Sequence, residues 1–444
     1  MSLRLALGTF LLLAALPGVA TGQDTGSDTK DVGRNLMSRQ FPIGVWFDGR
    51  VEGINCPEGY HNVPKEMKAA KEYYQRNFQD IRDHGIEIVV IPNTPPDYRE
   101  TLLSVADQVG VKIVLELVEL AYPEWGGRHS VRTPDMVRDE AEVLKYCDAM
   151  TSEIRKHKSL FCYQVLDEPP ANLFENFALV NRVLEKLDPA HPSFSCLCFE
   201  EELARTTAMG TQMIVFDRYP LRKPSKPGDH DFTPFRSLLD KLDHHAGKLP
   251  YWMVVQSCAM DTTTGLRYPT QAELRLMTWL SVAHNAKGIF FFLHNSYTQQ
   301  ERLQGLVDLE MAPHPIYGEA ADLARTLKRL SPLLLRIERT SDTLVKARDA
   351  FDVQSFEEAG DAAMRKGNRY AFVVNQDVLR SASFDGEFED ASTAPKELRD
   401  LIVDVPIDVK TEGGVAKFSI RLPPGGAALL RISAASGKVA AAGQ

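Results

Sequence analysis

Cysteine is sparse in this chain, six residues in 444, and the six form neither a Cys-x-x-Cys pair nor a zinc-ligand spacing. That excludes a disulfide-stapled scaffold and a structural zinc domain as the organising device. Basic charge is also short. Lys plus Arg number 51 against 60 Asp plus Glu, a formal charge of −9, and an acidic chain without a basic run excludes nucleic acid as the principal partner. No Gly-x-Gly-x-x-Gly or Gly-x4-Gly-Lys-Ser/Thr follows an apolar run, so a nucleotide cradle is missing and no cofactor is implied. The lack of Gly-x-Ser-x-Gly and of a clustered histidine set speaks against serine and metal hydrolases.

Long hydrophobic runs are lacking too, with one exception. Arg4 precedes an apolar stretch from Leu5 to Leu16, followed by Pro17 and the small residues up to Gly22. This is the layout of a secretory signal peptide over residues 1–22, too short to span a bilayer, with cleavage expected between Ala20 and Gln23. The mature protein is expected to be secreted or periplasmic, with no membrane insertion once the leader is removed.

What is present is ordinary globular material, 44% hydrophobic and 25% charged. After a polar spacer over 23–40, apolar runs alternate with helix-period segments. Strands are predicted at 41–49, 86–93, 111–119, 160–169, 192–199, 211–220, 251–259 and 287–295, with helices at 64–84, 97–109, 133–157, 172–187, 200–209, 233–246, 270–286 and 316–337. The runs are nearly continuous in Val, Ile and Phe, which suits strands buried on both faces. Eight such units within about 300 residues predict a (β/α)8 TIM barrel over 41–338. From Thr340 the rhythm changes to short alternating runs (342–349, 352–358, 369–377, 382–388, 398–406, 415–423 and 427–433), which predict a small C-terminal antiparallel β-sandwich over 340–435 and a frayed tail over 436–444. Cys162, Cys196, Cys198 and Cys258 fall inside strand runs and read as small buried hydrophobes.

In a barrel the chemistry lies at the carboxyl ends of the strands. Those ends carry Trp46 and Asp48, Asn93, Glu116 and Glu119, Asp167 and Glu168, Asp217 and Tyr219, Gln256, and His294. A cup of carboxylates, amides and aromatics without a metal cluster suits a neutral polyhydroxylated ligand, so the expected partner is a carbohydrate substrate.

Tyr163–Pro169 (YQVLDEP) resembles the Asn/Asp-Glu-Pro signature that ends strand four of the glycoside hydrolase clan A barrels. Phe216–Pro220 (FDRYP) and the segment AHNAKGIFFF ending at Phe292 resemble their sixth strand and eighth unit, so that the resemblance covers about residues 41–300. It implies an exported glycosidase with Glu168 as general acid/base. At the end of strand seven, where such enzymes hold a second Glu as nucleophile, this sequence has Gln256, and an amide cannot form a glycosyl ester. Three readings stay open. Asp167 and Glu168 can form the adjacent pair of a substrate-assisted hexosaminidase, as in β-N-acetylgalactosaminidase-like barrels, provided the strand bends so that neighbours share a face, a bend that Pro169 invites. Glu168 can work with a base such as Asp217, Glu119 or Asp48 at the ~6.5–9.5 Å of an inverting pair. Or the barrel binds sugar without cleaving it. Trp46, Asp48, Asn93, Glu119, Tyr219, Gln256 and His294 are the candidate substrate contacts.

Overall fold

The structure, a computed structural model, describes residues 40–433 apart from 119–139, 170–172, 209–210, 262–264, 299–301, 347–349, 360–367, 389–394 and 396. The expected signal peptide, nearly all of the spacer, Glu119, the start of the third helix and the tail lie outside the described residues.

Eight parallel strands close on themselves in chain order: β1 (Ile43–Trp46), β2 (Ile88–Ile91), β3 (Lys112–Glu116), β4 (Leu160–Asp167), β5 (Ser193–Leu197), β6 (Ile214–Arg218), β7 (Tyr251–Gln256) and β8 (Gly288–Phe292). Around them run α1 (Met67–Asp83), α2 (Pro96–Val109), α3 (Glu140–Thr151), α4 (Phe174–Leu187), α5 (Leu203–Ala208), α6 (Thr233–Ala246), α7 (Gln271–Ala283) and α8 (Pro315–Leu334). This is the predicted TIM barrel. Its helix ends obey local chemistry. Glu66 caps α1 by accepting from the Ala69 N–H at 2.7 Å, Thr270 and Glu273 form a capping box on α7, and Gly110 closes α2 at φ 88°. The predicted helix over 200–209 is a 3-10 turn, Glu200–Glu202, running into the six-residue α5.

Alternate residues of each strand fill the barrel interior, where large rings meet the two glycines that leave room for them. A Cβ on Gly44 would lie 2.3 Å from Phe290, and one on Gly288 would lie 2.6 Å from Trp252. Trp252 stacks on Phe290 at 5.1 Å and Trp46 meets the same ring edge-on at 5.9 Å. The barrel interior is therefore filled by side chains, and in this fold ligands are held at the carboxyl ends of the strands.

The C-terminal region forms two antiparallel sheets. Strands β9 (Ile337–Thr340), β10 (Phe351–Glu358), β11 (Asn368–Asn375), β12 (Ala382–Glu387), β13 (Glu397–Asp400), β14 (Val405–Ile407), β15 (Lys410–Glu412), β16 (Val415–Leu422) and β17 (Ala427–Ser433) arrange as β9-β10-β11-β17-β13-β14 and β12-β16-β15. Two expectations fail in detail. Residues 337–340, predicted as helix end and connection, are a strand paired to β10, whereas in 342–349 the described residues form only a bridge from Val345 to Phe388. Residues 398–406 are not one strand but a hairpin, because the Asp400 carboxylate takes the N–H groups of Ile402 (2.9 Å) and Leu429 (3.2 Å) and Asp404 turns the chain at φ 58°.

The larger sheet lies on α6, α7 and α8. Phe372 and Leu429 belong to the same apolar core as Trp279 and Leu276. The polar part of the junction centres on His284, the residue capping the C-terminus of α7 and almost wholly buried. Its Nδ1 meets Asp240 of α6 at 3.0 Å and its Nε2 meets Asp352 of β10 at 3.3 Å. Arg339 of β9 also reaches Asp240, at 2.7 Å, and Arg236 lies 3.6 Å from Asp352. A groove of about 360 Å³ opens beside these groups. Burial works against charging His284, but its hydrogen bonds to the two carboxylates outweigh it and raise its proton affinity above the usual histidine range.

A histidine whose folded value is raised stabilises the fold fully below its unfolded value, about 6.5, and loses that contribution as pH rises through the folded value. His284→Asn is therefore expected to lower the melting temperature more at about pH 6 than at about pH 9, with a cost of about 3 kcal/mol at the acid end. Thermal denaturation of both proteins across that range checks it. Equal losses at both ends would remove the charged clamp.

Candidate active site

Strand β4 does not end regularly. Its register against β5 shifts between Gln164 and Leu166, and Glu168, directly after the strand, sits in the left-handed region at φ 44° while its N–H still bonds the Cys196 carbonyl at 2.9 Å. The shift changes the phase of the strand, and the turn at Glu168 reverses it again. Asp167 and Glu168, which a regular strand would send to opposite faces, are both open to solvent at the mouth of the barrel. The bend lies before Pro169, at the bulge and at Glu168 itself. Gln164, fully buried, donates its Nε2 to Asp167 Oδ1 at 3.1 Å.

Asp217, near the end of β6, is 5% exposed and joins this pair. A carboxylate oxygen of Glu168, one of Asp217 and the Sγ of Cys198 all lie within 4.8 Å of one another. The Cys196 thiol donates to Asp217 Oδ1 at 3.7 Å. The Tyr219 ring stacks on Phe292 at 4.9 Å and its hydroxyl hydrogen-bonds the Asp217 carboxyl. The electrostatics follow from crowding. Although Asp167 as a residue is exposed at the mouth, the protein packed around its carboxyl group makes charging it costly, and with the neighbouring Glu168 charge this pushes it up to about 7, against the opposing hydrogen bond from Gln164. Burial, then Glu168 and Asp167, hold the Asp217 proton far above the usual carboxylate range. Asp217 is therefore biased toward its protonated form, whereas Asp167 is poised to gain or lose its proton near neutral pH.

Glu168, Cys198 and Asp217 are also the one trio among the described residues whose donor atoms lie close enough to hold a single metal ion. Burial and the adjacent carboxylates keep the Cys198 thiol protonated, so a metal would have to displace that proton.

Other expected contacts go elsewhere. Gln256 is wholly buried, and its amide is spent on backbone: Oε1 accepts from Leu221 N–H (2.9 Å), and Nε2 donates to the carbonyls of Leu221 (3.0 Å) and Arg267 (2.8 Å). It pins the loops leaving β6 and entering α7 rather than facing ligand. His294 is sealed between Phe47 and Tyr317, makes no hydrogen bond from either ring nitrogen, and is held neutral by burial, down to about 3. Trp46 packs into the barrel interior at 3% exposure, so it offers no free stacking face. Asp48 is bonded by the Arg50 side chain and by Arg50 N–H at 2.9 Å, and so cannot serve as a base for water. Asn93, left-handed at φ 63°, gives its N–H to Glu116 Oε2 at 2.9 Å and its carbonyl to Asn55, a rim-building role.

Sequence reasoning missed Cys198 and Cys196, which touch the carboxylates, and the segment that follows them. Phe199 is 52% exposed at the rim, and the buried Glu202 accepts the Phe199 N–H while its Oε2 has no partner. The available signal was the spacing of the two cysteines, two apart at a strand end, which sends both side chains to one face. All six cysteines are free.

No family model and no curated protein matches the chain. Solved structures do. A β-galactosidase from Bacillus circulans sp. alkalophilus superposes with a TM-score of 0.60 at 9% identity, over 89% of this chain and 99% of that one. SrfJ from Salmonella typhimurium gives 0.50 at 12% identity, over 89% and 91%. The cold-adapted β-galactosidase from Rahnella sp. R3 gives 0.51 at 11% identity, over 67% and 57%. At these identities the likeness is one of fold, and the fold it supports is the TIM barrel.

Proposed function

We propose that this chain is an exported glycoside hydrolase that cleaves an oligo- or polysaccharide at a 2-acetamido sugar, with the acetamido group as nucleophile. The observation that carries this reading is the opening of Asp167 and Glu168 into one cup by the irregular end of β4. Two alternatives lose ground to it. No carboxylate stands at the end of β7, where Gln256 is held by backbone, so an ordinary glycosyl ester has no partner there. Glu168 and Asp217 come within 4.8 Å, inside the ~6.5–9.5 Å that leaves room for an inverting water.

In the proposed reaction Glu168 gives its proton to the glycosidic oxygen as the bond to the leaving sugar breaks. The acetamido carbonyl oxygen attacks the anomeric carbon, and ionised Asp167 accepts the acetamido N–H, stabilising the positive charge that develops on that group. Water then opens the cyclic intermediate, its proton returning to Glu168 as the new C–O bond forms. Asp217 and Tyr219 supply hydrogen bonds to the sugar in the cup. Phe199, exposed on the rim, offers an apolar face to a further sugar of the chain. The rival reading, a barrel that binds sugar without turnover, draws on Gln256, and it requires binding that survives Glu168→Gln at full strength with no activity in either protein. Export rests on the leader at residues 1–22, and the amino terminus of protein recovered outside the cytoplasm is expected between Ala20 and Gln23.

Aryl glycosides with and without a 2-acetamido group, given to the mature protein and to Glu168→Gln, test the activity. Turnover is expected for acetamido sugars alone, with a loss of about 10²–10⁴-fold in the variant. Equal turnover of plain hexosides would overturn the acetamido role. As pH falls through about 7, Asp167 gains a proton, so kcat/KM should fall on that side, and Asp167→Asn should abolish that limb along with most activity.

A carboxyl held above its unfolded value destabilises the fold once pH exceeds the unfolded value of about 3.9. Asp167→Asn is therefore expected to raise the melting temperature at neutral pH, the signature of a functional rather than a structural carboxylate. Gln256→Glu is expected to gain no activity and to lose about 2 kcal/mol, because a carboxylate cannot donate to the Leu221 and Arg267 carbonyls. Activity assays and denaturant titration read both.

A further inference from the structure

The two cysteines at the end of β5 are not ordinary core thiols. Cys196 and Cys198 are two apart, so both side chains face the same way. Cys196 donates to Asp217 at 3.7 Å, and Cys198 stands within 4.8 Å of both Glu168 and Asp217. Both thiols stay protonated, because burial and then the surrounding carboxylates oppose a further negative charge. Among acceptors, a group that keeps its proton acts as a donor. A lysine or arginine in the same place would also hold a carboxylate, but it would form an ion pair and strip the acid of its proton. A thiol orients without adding charge.

We propose that Cys196 and Cys198 are positioning residues for the acid machinery, each giving its S–H to one carboxyl group, Cys196 to Asp217 and Cys198 to Glu168, so that the two stay together without a cation. This inference rests on Glu168 being the acid of the proposed reaction. The arrangement deals with two needs at once. The crowded oxygens receive donors, and no formal charge is added beside the acid.

The test has one arm that reads the bond and one that reads its use. The infrared S–H stretch of the full chain is recorded for the wild type, Cys198→Ala, Cys196→Ser and Glu168→Ala. A hydrogen-bonded S–H band is expected in the wild type. One component of it should vanish in Cys198→Ala and move to the free-thiol position in Glu168→Ala, and a separate component should vanish in Cys196→Ser. Because Cys56, Cys147, Cys162 and Cys258 are free thiols too, the decision is read from the difference between wild type and Cys198→Ala: a Cys198 component at the free-thiol position, or one untouched by Glu168→Ala, overturns the proposal. In the kinetic arm, loss of the donor weakens the hold on the ionised carboxylate. The basic limb of the kcat/KM profile should therefore move upward in Cys198→Ala by about half to one pH unit and return in Cys198→Ser, whose hydroxyl also donates. A profile that Cys198→Ala leaves unchanged overturns it too. If no aryl glycoside is turned over by any of the proteins, the hydrolase reading fails, while the S–H band still decides whether the thiols hold the carboxylates.

Discussion

Mutual repulsion among three carboxyl groups is the constraint around which the mouth of this barrel is built. Asp167, Glu168 and Asp217 are crowded together, and on top of burial the Glu168 charge raises the cost of ionising Asp167 and Asp217, as Asp167 does for Asp217. Left on flexible loops they would separate into water. Here they cannot, because they stand at the ends of β4 and β6, in a barrel whose interior is filled by Trp252, Phe290 and Trp46. The packing that keeps the floor rigid is what allows the rim to hold an unfavourable charge arrangement, and that arrangement keeps protons in the site at neutral pH.

The same logic explains which donors surround the group. Tyr219, Gln164 and Cys196 supply hydrogen bonds without neutralising the carboxyls. The formal positive charges of the fold are used elsewhere, in pairs such as Arg267 with Glu273 and Arg275 with Glu319, and at the sheet junction around Asp240 and Asp352. Among the described residues, charge compensation thus goes to the seams between layers, where it orients one element on another, and no ion pair is made by Asp167, Glu168 or Asp217.

Much of this was legible in the sequence because barrel rhythm is local. Continuous apolar runs, capping residues and the switch to period-two alternation after Thr340 mark the architecture without knowledge of any distant contact. The rim residues were legible only as far as strand ends could be counted. That Asp167 and Glu168 share a cup depended on a bulge two residues upstream, which Pro169 hinted at but did not locate. The roles of Gln256 and His294 were not readable at all. Gln256 is satisfied by carbonyls and an N–H from residues 35 and 11 positions away, and His294 is enclosed by rings from α8 and from just after β1. Cys198 read as a buried hydrophobe because its neighbours Glu168 and Asp217 arrive through closure of the sheet rather than along the chain. In the C-terminal sheets, alternation across 398–406 persisted through a hairpin, since a side chain, Asp400, took over the ladder's hydrogen bonds.

Gln256 has a consequence on another timescale. At the end of β7 the position where the proposed function turns on the lack of a carboxylate is also the one that ties two loops to the barrel, so the proposed chemistry and the architecture are linked there. A drift toward a carboxylate there has to be accompanied by new donors for Leu221 and Arg267, and neither change is useful alone. On the proposed function, a scaffold tied in this way resists moving the nucleophile onto strand seven.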